Sequence, residues 1–335
     1  MQIEVALNVA KDFLRKKLSN DVWFGLANLK RYLIKRDYSE RVVTNSQEEK
    51  PLYFIIRREP PGAGLFSNIN HVLQGLRESE NRGLIPVVDM QNYWSSYSLS
   101  TPIHGTQNSW EYFFDQPAEF SLQTALNSNQ YVLSKGNRIA GDHWLTEKSL
   151  QYATEPEKIA EISRLLRKYL KLNRFTQSTI EFVKKNTDWK PDLNLGVSLR
   201  GSDYLEIKPH GHPMQPNLQE VCVAIEENLE LERDTRIFLA CEDMTIRSTI
   251  EDRFPGIVLQ NFRTAPFFKE HIAQELKLSG RNLSIMTNNL GYLVEILLFS
   301  ECKSCVSSLA NGSAIGIALN NGRFRFKKIL SPGVY

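Results

Sequence analysis

Short apolar runs with strand character alternate with helical patterns in two stretches of this chain. A strand, a crossover and another strand form the unit of a parallel sheet with helices on its faces. Helical patterns at 155–172 and 176–186 separate the stretches, so two α/β halves are predicted to meet near 173–193. Strand patterns lie at 52–56, 84–89, 195–199, 236–240, 256–260 and 303–307, and helical patterns at about 68–81, 218–231, 245–254, 290–300 and 313–319.

The length of the chain agrees with this division. Its 335 residues suggest two domains, since a domain holds on the order of 150 residues. We expect domains over 51–190 and 191–335, after an N-terminal helical segment over 1–50. Residues 91–150, rich in aromatic and polar side chains, predict loops and short helices on the first domain.

The net charge does not indicate a nucleic-acid partner, and the hydropathy pattern does not indicate a membrane-spanning helix. The 41 Lys and Arg residues against 38 Asp and Glu give a formal charge of +3, whereas nucleic-acid-binding domains are usually much more basic. We therefore expect no nucleic-acid partner. The longest apolar run, Tyr292 to Phe299, contains Glu295 and is far shorter than the roughly 20 residues that span a bilayer.

The N-terminal segment over 1–50 carries an apolar helical stripe with lysines and arginines between the apolar residues. This pattern is typical of a helix packed on its own domain, and the alternative is peripheral contact with an anionic membrane surface. The segment lacks the apolar core and cleavage site of a secretory signal. We expect a cytoplasmic protein, with a position peripheral to a membrane as the alternative.

The cysteines indicate a reducing compartment and no metal. Cys222, Cys241, Cys302 and Cys305 are few for this length. Cys302 and Cys305 have the spacing of half a zinc site or of a redox pair, but no second such pair accompanies them. We interpret both as small buried apolar residues beside a strand.

Ligands of open α/β sheets bind at the carboxyl ends of the strands, so the residues after each predicted strand are the candidates. The first group, Gly62 to Asn68, joins a strand to a helix. Gly62 and Gly64 would let the main chain approach a ligand, and the helix start would offer free amides. The alternative is a tight turn capped by Ser67 or Asn68.

The second group follows the strand at 195–199. Arg200 can pair with a phosphate through two parallel hydrogen bonds, and Asp203 can orient it or cap a turn. The alternative is a structural Arg200–Asp203 pair. Glu206 lies in the following loop, where acid–base groups are commonly placed.

The third group is Glu242 and Asp243 after the strand at 236–240, where Asp243 can also cap the next helix. The fourth group lies between the last predicted strand and helix, where hydroxyls and amides form a phosphate cradle. Glu295, inside an apolar helix, is a candidate for binding a base edge or a cation, and the alternative is that it snorkels to solvent. The fourth group comprises Ser307, Ser308, Asn311, Gly312 and Ser313.

Together these segments resemble a known family. Gly64-Leu-Phe-Ser-Asn68 resembles the glycine–asparagine loop of protein O-fucosyltransferases, and Gly196-Val-Ser-Leu-Arg-Gly-Ser-Asp-Tyr204 resembles the arginine motif of the superfamily that includes the α1,6- and α1,2-fucosyltransferases. Phe238 to Asp243 and Glu295 to Ser313 look like its later motifs. The matches run in order from about residue 52 to residue 320.

The resemblance implies a GT-B fold, in which two Rossmann-like domains face each other across a cleft. The C-terminal half would bind a GDP-sugar, usually GDP-fucose, and the N-terminal half would present a glycan acceptor. Arg200 would contact the donor β-phosphate, Glu295 would read guanine, and Asn68 would lie near the reacting sugar. The residues assigned to the donor are Gly62, Gly64, Arg200, Asp203, Asp243, Glu295, Ser307, Ser308, Asn311, Gly312 and Ser313.

The implied reaction is an inverting transfer without a metal. A fixed arginine and helix-end amides can stabilise a departing diphosphate, and the chain contains no Asp-x-Asp triplet to hold a divalent cation. We expect no cofactor beyond the GDP-sugar donor. The catalytic residues would be Arg200, Asn68 and, as general base, Glu206, which follows the arginine at roughly the distance of the proposed base in the α1,6-enzymes.

Two departures keep alternatives open. Ser198 stands where the family often has histidine, and Gly201 stands where it often has a second arginine. One alternative is a glycan- or nucleotide-binding protein of the same fold without turnover, and another is a transferase that uses a different nucleotide sugar. A hydride-transfer enzyme is disfavoured because the full Gly-x-Gly-x-x-Gly fingerprint is absent.

Overall fold

The chain forms two four-stranded sheets, each accompanied by helices. The computed structural model describes residues 38–60, 64–136, 145, 147–201 and 206–335. Residues Glu40–Tyr335 form one compact unit that contains both sheets. Most of the predicted N-terminal segment, residues 1–37, lies outside the described residues, so its helices and its membrane contact stay predictions.

The first sheet has the order β1-β4-β2-β3. β2 pairs in parallel with β3 and with β4, and β1 is an antiparallel edge strand on β4. All five residues of β2 are buried, as a central parallel strand with both faces covered requires. The strands are β1 (Arg41–Val43), β2 (Tyr53–Arg57), β3 (Ile85–Asp89) and β4 (Tyr131–Leu133).

The second sheet has the order β6-β5-β7-β8 and is parallel throughout. β5 and β7 are completely buried and occupy the centre. Because all four strands run in the same direction, their carboxyl ends lie along one edge. The strands are β5 (Asn194–Ser198), β6 (Arg236–Ala240), β7 (Ser304–Ser308) and β8 (Lys327–Leu330).

The helices cover these sheets and join their cores. One apolar cluster contains residues of β2, β6 and β7 together with the buried faces of the helices around them, so the cores of the two halves are continuous. The helices are α1 (Leu65–Arg82), α2 (Leu122–Asn127), α3 (Pro156–Tyr169), α4 (Arg174–Asn186), α5 (Leu218–Leu231), α6 (Met244–Arg253), α7 (Pro266–Leu276), α8 (Gly280–Glu301) and α9 (Asn311–Leu319).

Helix α8 is long and apolar enough to cross a membrane by length and composition, and 56% of its most apolar stretch is buried inside the protein. It packs against β5 and β6 and against α7 and α9. Its buried face ends in Phe299, which is fully buried. These contacts are those of a core helix.

Most predicted elements are confirmed within two or three residues, including the strands that precede each candidate site. Helix α8 begins at Gly280, ten residues before the predicted start at residue 290. Five further regions differ. Arg41–Val43, inside the segment predicted to be helical, forms an edge strand, because three residues are too few to show a period. Residues 256–260 make only one β-bridge, Ile237 with Val258, since the chain turns at Gly256, whose φ is +79°.

The other three differences are elements that were not predicted. β4 lies within residues 91–150, which were expected to hold loops and short helices. Helix α7 and strand β8 were also missed. β4 and β8 have three and four residues, which is too short for alternation to be visible.

The cysteine interpretation is confirmed. All four cysteines are free and buried. Cys302 is 1% exposed and Cys305 is 0% exposed, and burial raises the pKa of both thiols. They are apolar packing residues at the start of β7.

A surface ion-pair network fastens α3 to α1. Glu80 of α1 accepts hydrogen bonds from Arg164 (2.7 Å), Lys168 (2.7 Å) and the hydroxyl of Tyr169 (2.9 Å), all on α3. These donors, Arg164 above all, hold the pKa of Glu80 at about 2. The carboxylate of Glu80 therefore stabilises the folded state at every pH at which it is ionised.

Replacing Glu80 with Gln should lower the free energy of unfolding by about 1 kcal/mol at pH 7, because a network of partly exposed pairs is worth little more. The folded pKa lies below the ordinary carboxyl value, so the difference from the parent protein should persist above about pH 4.5 and disappear as the pH falls towards 2. Urea unfolding at pH 7 and pH 3 measures it. The control is Glu119→Gln, because Glu119 is exposed and forms no ion pair in the described part of the chain. A loss that does not change with pH would contradict the account.

Candidate functional site

The second and third sequence groups meet at the carboxyl edge of the second sheet. The main-chain N–H of Arg200, which follows β5, donates to the hydroxyl of Ser308 at the end of β7 (3.4 Å). The Nη1 of Arg200 lies 3.2 Å from the Oε1 of Glu242, which follows β6. Three strands thus contribute to one group of polar side chains, as the parallel topology requires.

Gly201 fits closely between these segments. Its N–H donates to the Oε1 of Glu242 (3.2 Å). A Cβ atom at this position would lie 2.9 Å from the Cβ of Asp243, closer than real side chains approach. The second arginine that the family often has here would therefore displace the segment after β6.

Asp243 caps helix α6. Its Oδ1 accepts hydrogen bonds from the main-chain N–H groups of Thr245 (2.9 Å) and Ile246 (3.1 Å). This is the N-cap arrangement that satisfies the first amides of a helix. The capping interpretation is confirmed, and it fixes the direction in which the chain leaves β6.

Glu295 is buried and paired. It is 2% exposed, and its Oε2 accepts a hydrogen bond from the Nη1 of Arg263 (2.8 Å). Burial raises the pKa of Glu295, and the charge and hydrogen bond of Arg263 act in the opposite direction. The alternative that Glu295 snorkels to solvent is wrong, because an arginine from the chain before α7 reaches it inside the protein.

Two arginines of this edge were missed by sequence reasoning. A carboxylate on an apolar helix face indicated that a partner must exist, but nothing identified Arg263. Arg247 of α6 is 2% exposed; its Nη2 donates to the main-chain oxygen of Leu239 (2.5 Å), and its Nη1 pairs with Glu251 (3.2 Å). Its charge also acts on Glu295.

The turn after β7 is held by its own serines. The hydroxyls of Ser307 and Ser313 both donate to the main-chain oxygen of Ser308 (2.7 Å each), and the N–H of Ala310 donates to the hydroxyl of Ser313 (2.9 Å). These hydroxyls therefore shape the turn. The groups that remain to face an anion are the first amides of α9.

Tyr292 lies across the start of α9. A Cβ atom at Gly312 would come within 2.8 Å of the Cζ of Tyr292, so only glycine leaves room for the ring. Burial raises the pKa of Tyr292, whose hydroxyl lies within electrostatic range of Arg200, Glu242 and Glu295. The tyrosine thus packs against the turn of the fourth group.

The first group forms a second polar cluster, at the carboxyl end of β2. Asn68 is 1% exposed; its Oδ1 accepts a hydrogen bond from Arg58 (2.7 Å), and its Nδ2 donates to the hydroxyl of Tyr97 (3.4 Å). Arg58 also donates to Ser67 (3.2 Å), and burial lowers its pKa. Gly64 begins α1 without a side-chain cap. The turn that Ser67 or Asn68 was expected to cap includes residues 61–63, which lie outside the described part of the chain, so that alternative stays open.

Gly64 is the N-cap residue of α1 and is exposed. Its φ is −62°, and a Cβ atom there would meet nothing within 4 Å. The main chain is therefore open beside Gly64. Arg58, which directly follows β2, was missed, although its position after a strand is the signal used for the other candidates.

The two clusters are in contact through α1. The Nδ2 of Asn70 donates to the Oδ1 of Asn311 (2.6 Å), and the ring of Phe66 meets the ring of Tyr292 edge to face with centroids 4.7 Å apart. The first and fourth sequence groups, about 240 residues apart in the chain, are therefore neighbours.

Three candidates are not placed in this arrangement. Gly62 and Asp203 lie outside the described residues. Glu206 is exposed, and no hydrogen bond or ion pair joins it to the described part of the chain. Its role as a general base stays a prediction.

Across residues 38–60, 64–136, 145, 147–201 and 206–335, no group of three or more His, Cys, Asp or Glu side chains could hold a metal ion. The carboxylates of the site are engaged separately: Glu242 by Arg200, Asp243 by the amides of α6 and Glu295 by Arg263. The chemistry that this donor set can perform is the binding of anions and of groups that donate hydrogen bonds.

Comparison with known proteins gives structural similarity only. No protein-family model and no curated protein sequence matches the chain. Similar solved structures include NodZ fucosyltransferase from Bradyrhizobium, at 15% identity and a TM-score of 0.47 over 81% of this chain and 92% of that one. NodZ α-1,6-fucosyltransferase soaked with GDP-fucose has the same identity and TM-score over 81% and 93%. A point mutant of Arabidopsis thaliana FUT1 in complex with GDP has 10% identity and a TM-score of 0.44 over 93% and 77%.

Replacing Arg263 with Met should destabilise the protein by about 3–5 kcal/mol at pH 8, because it leaves the buried carboxylate of Glu295 without its partner. The loss should shrink as the pH falls towards 5, since the folded state then holds a proton on Glu295 more tightly than the unfolded state does. Urea unfolding at both pH values measures this. The double variant Arg263→Met/Glu295→Gln should regain much of the stability at pH 8. An equal loss at both pH values would show that the pair does not determine stability here.

Proposed function

We propose that this chain is an inverting, metal-independent glycosyltransferase that moves fucose from GDP-fucose to an oligosaccharide acceptor. The proposal rests on the motif resemblance together with one structural observation. Arg200 lies within hydrogen-bond distance of both Glu242 and Ser308, so three separate motifs meet at the carboxyl edge of the second sheet. This is the edge at which α/β sheets bind nucleotides.

We further propose a GT-B arrangement, with residues 51–190 on the acceptor side and residues 191–335 on the donor side of a cleft. Each half has a sheet of its own, and in each half the polar candidates follow strands that run in parallel. The contact of Asn70 with Asn311 lies where the two sides would meet.

The donor contacts follow from the site. Arg200 binds the β-phosphate, and the first amides of α9, at Asn311, Gly312 and Ser313, add main-chain donors. The Oε2 of Glu295 is taken by Arg263, so we assign its Oε1 to the donor groups of guanine. Asp243 fixes the segment that passes beside them.

In the proposed transfer an acceptor hydroxyl attacks the anomeric carbon of the sugar from the face opposite the diphosphate. The bond between that carbon and the phosphate oxygen breaks, and GDP leaves with the electron pair. Arg200 and the helix amides stabilise the charge that develops on the diphosphate. Glu206 takes the proton of the acceptor hydroxyl, and Asn68 lies near the reacting sugar.

A second candidate is a protein that binds a nucleotide or a glycan without turnover. The tight packing around Gly201 favours it, because a second arginine cannot enter there while Asp243 keeps its position. With a single arginine at this point, less charge is available to stabilise the departing diphosphate.

Calorimetric titration with GDP, UDP, ADP and GDP-fucose in EDTA should show binding that is selective for guanine. Arg200→Ala should weaken GDP binding by about 10- to 100-fold, because hydrogen bonds to charged groups contribute about 1.5–3 kcal/mol. Arg253→Ala is the control. Arg253 is the last residue of α6, at the end away from Asp243, and it pairs with Glu226 of α5. Binding of GDP that Arg200→Ala leaves unchanged, or the absence of any guanine preference, would refute the donor assignment.

Release of GDP from GDP-fucose in the presence of glycan acceptors distinguishes the two candidates. The transferase should release GDP only when an acceptor is present, and it should do so in EDTA. GDP binding without release across the acceptors would support the binding protein.

A further inference from the structure

A carboxylate oxygen of Glu242 contacts the groups at the end of β5 that could bind an anion. The Oε1 of Glu242 lies 3.2 Å from the Nη1 of Arg200 and accepts the N–H of Gly201 at 3.2 Å. A guanidinium and a main-chain amide that converge on one anionic oxygen form an arrangement that also binds phosphate oxygens. The protein therefore places its own anion where the proposed β-phosphate contact would form.

Of the three carboxylates at this edge, Glu242 is the one that can move aside. Asp243 is held by two amides of α6, and Glu295 is 2% exposed and held by Arg263. The side chain of Glu242 is 35% exposed, and that of Arg200 is 27% exposed. Rotation of Glu242 into solvent leaves its charge hydrated and ends its contacts with both donors, whereas the same movement of Glu295 would leave a buried arginine without its carboxylate.

The surrounding charges favour such an exchange. The charge of Glu242 acts unfavourably on the ionised form of Glu295, so the two carboxylates repel each other. A diphosphate that entered while Glu242 stayed in place would face both negative charges. An anion that displaces Glu242 instead gains the two donors and no longer faces the charge of Glu242.

We propose that Glu242 competes with the β-phosphate of the nucleotide for the Arg200 guanidinium and the Gly201 amide, and so sets the affinity and the release rate of GDP. This inference rests on the proposed function, since it takes Arg200 as the β-phosphate contact. Binding turns the Glu242 side chain out, and its return displaces the product. GMP, which has no β-phosphate, leaves the contact intact.

The opposite role for Glu242 is to orient Arg200 for the donor. A carboxylate that only orients an arginine strengthens binding, whereas one that competes with the ligand weakens it. Replacing Glu242 with Gln separates the two roles by the sign of the effect, because the amide keeps an oxygen that can accept from Gly201 but carries no charge.

The test is calorimetric titration of the full chain and its Glu242→Gln variant with GDP, GMP and inorganic pyrophosphate in EDTA. The variant should bind GDP and pyrophosphate about 3- to 10-fold more tightly. An increase of this size is expected because the ligand no longer has to break a partly exposed ion pair and no longer faces the negative charge of Glu242. Its affinity for GMP should stay unchanged. The dissociation rate of GDP, measured by stopped flow, should fall in proportion. Glu242→Ala should change GDP affinity in the same direction.

Glu226→Gln is the matched control, because Glu226 also pairs with an exposed arginine, Arg253, on this half of the protein. It should leave all three affinities unchanged. Thermal unfolding of each variant verifies that it is folded.

The outcomes separate this inference from the proposed function. If the parent protein binds GDP and Glu242→Gln binds it equally or more weakly, the competing role is refuted while the donor assignment stands. If no nucleotide binds, but the variant binds pyrophosphate more tightly than the parent, the anion site stands and the GDP-sugar function falls. If neither protein binds any probe, both are overturned.

Discussion

Parallel pairing of β5 with β6 and β7 forces three segments of the chain to leave the sheet at the same edge. Each segment carries charged or polar side chains, so the topology gathers charge at an edge that is only partly open to water. Such a cluster is stable only if each charge has a partner. The contacts of Glu295 with Arg263, of Glu242 with Arg200 and of Asp243 with the amides of α6 are the consequence of this constraint.

These contacts differ in what they can do, and burial is the reason. The Glu295–Arg263 pair is enclosed, so separating it would leave an uncompensated charge inside the protein, and it therefore acts as a fixed part of the core. The Glu242–Arg200 pair is partly exposed, so water can replace either partner with little loss. The same edge thus has one rigid pair that holds α8 to the chain before α7 and one pair that a ligand can exchange.

The sequence predicted the strands that form this edge better than the charged side chains that pair there. Strands β5, β6 and β7 were predictable from the alternation of short strand patterns with helical patterns, and the carboxyl-end rule then identified Arg200, Asp243 and Ser308. Arg263 and Arg247 were not identified, because the partner of a buried charge is set by three-dimensional packing and leaves no pattern in the sequence. Arg58 directly follows β2, so the same carboxyl-end rule could have identified it. The short strands β4 and β8 were missed for a different reason: pairing with neighbours, and not their own sequence, makes them strands.

The contacts between the two halves explain why the first sequence group belongs with the other three. Helix α1 begins beside Arg58 and Asn68, and within its first two turns it presents Phe66 to Tyr292 and Asn70 to Asn311. One rigid helix therefore spans the distance between the polar cluster of the first sheet and the turn that follows β7. Tyr292 lies between this helix and the start of α9, and the glycine at position 312 is what lets its ring lie there. This one side chain therefore contacts both the helix that holds Asn68 and the turn that follows β7, which gives the two halves a direct connection through packed atoms.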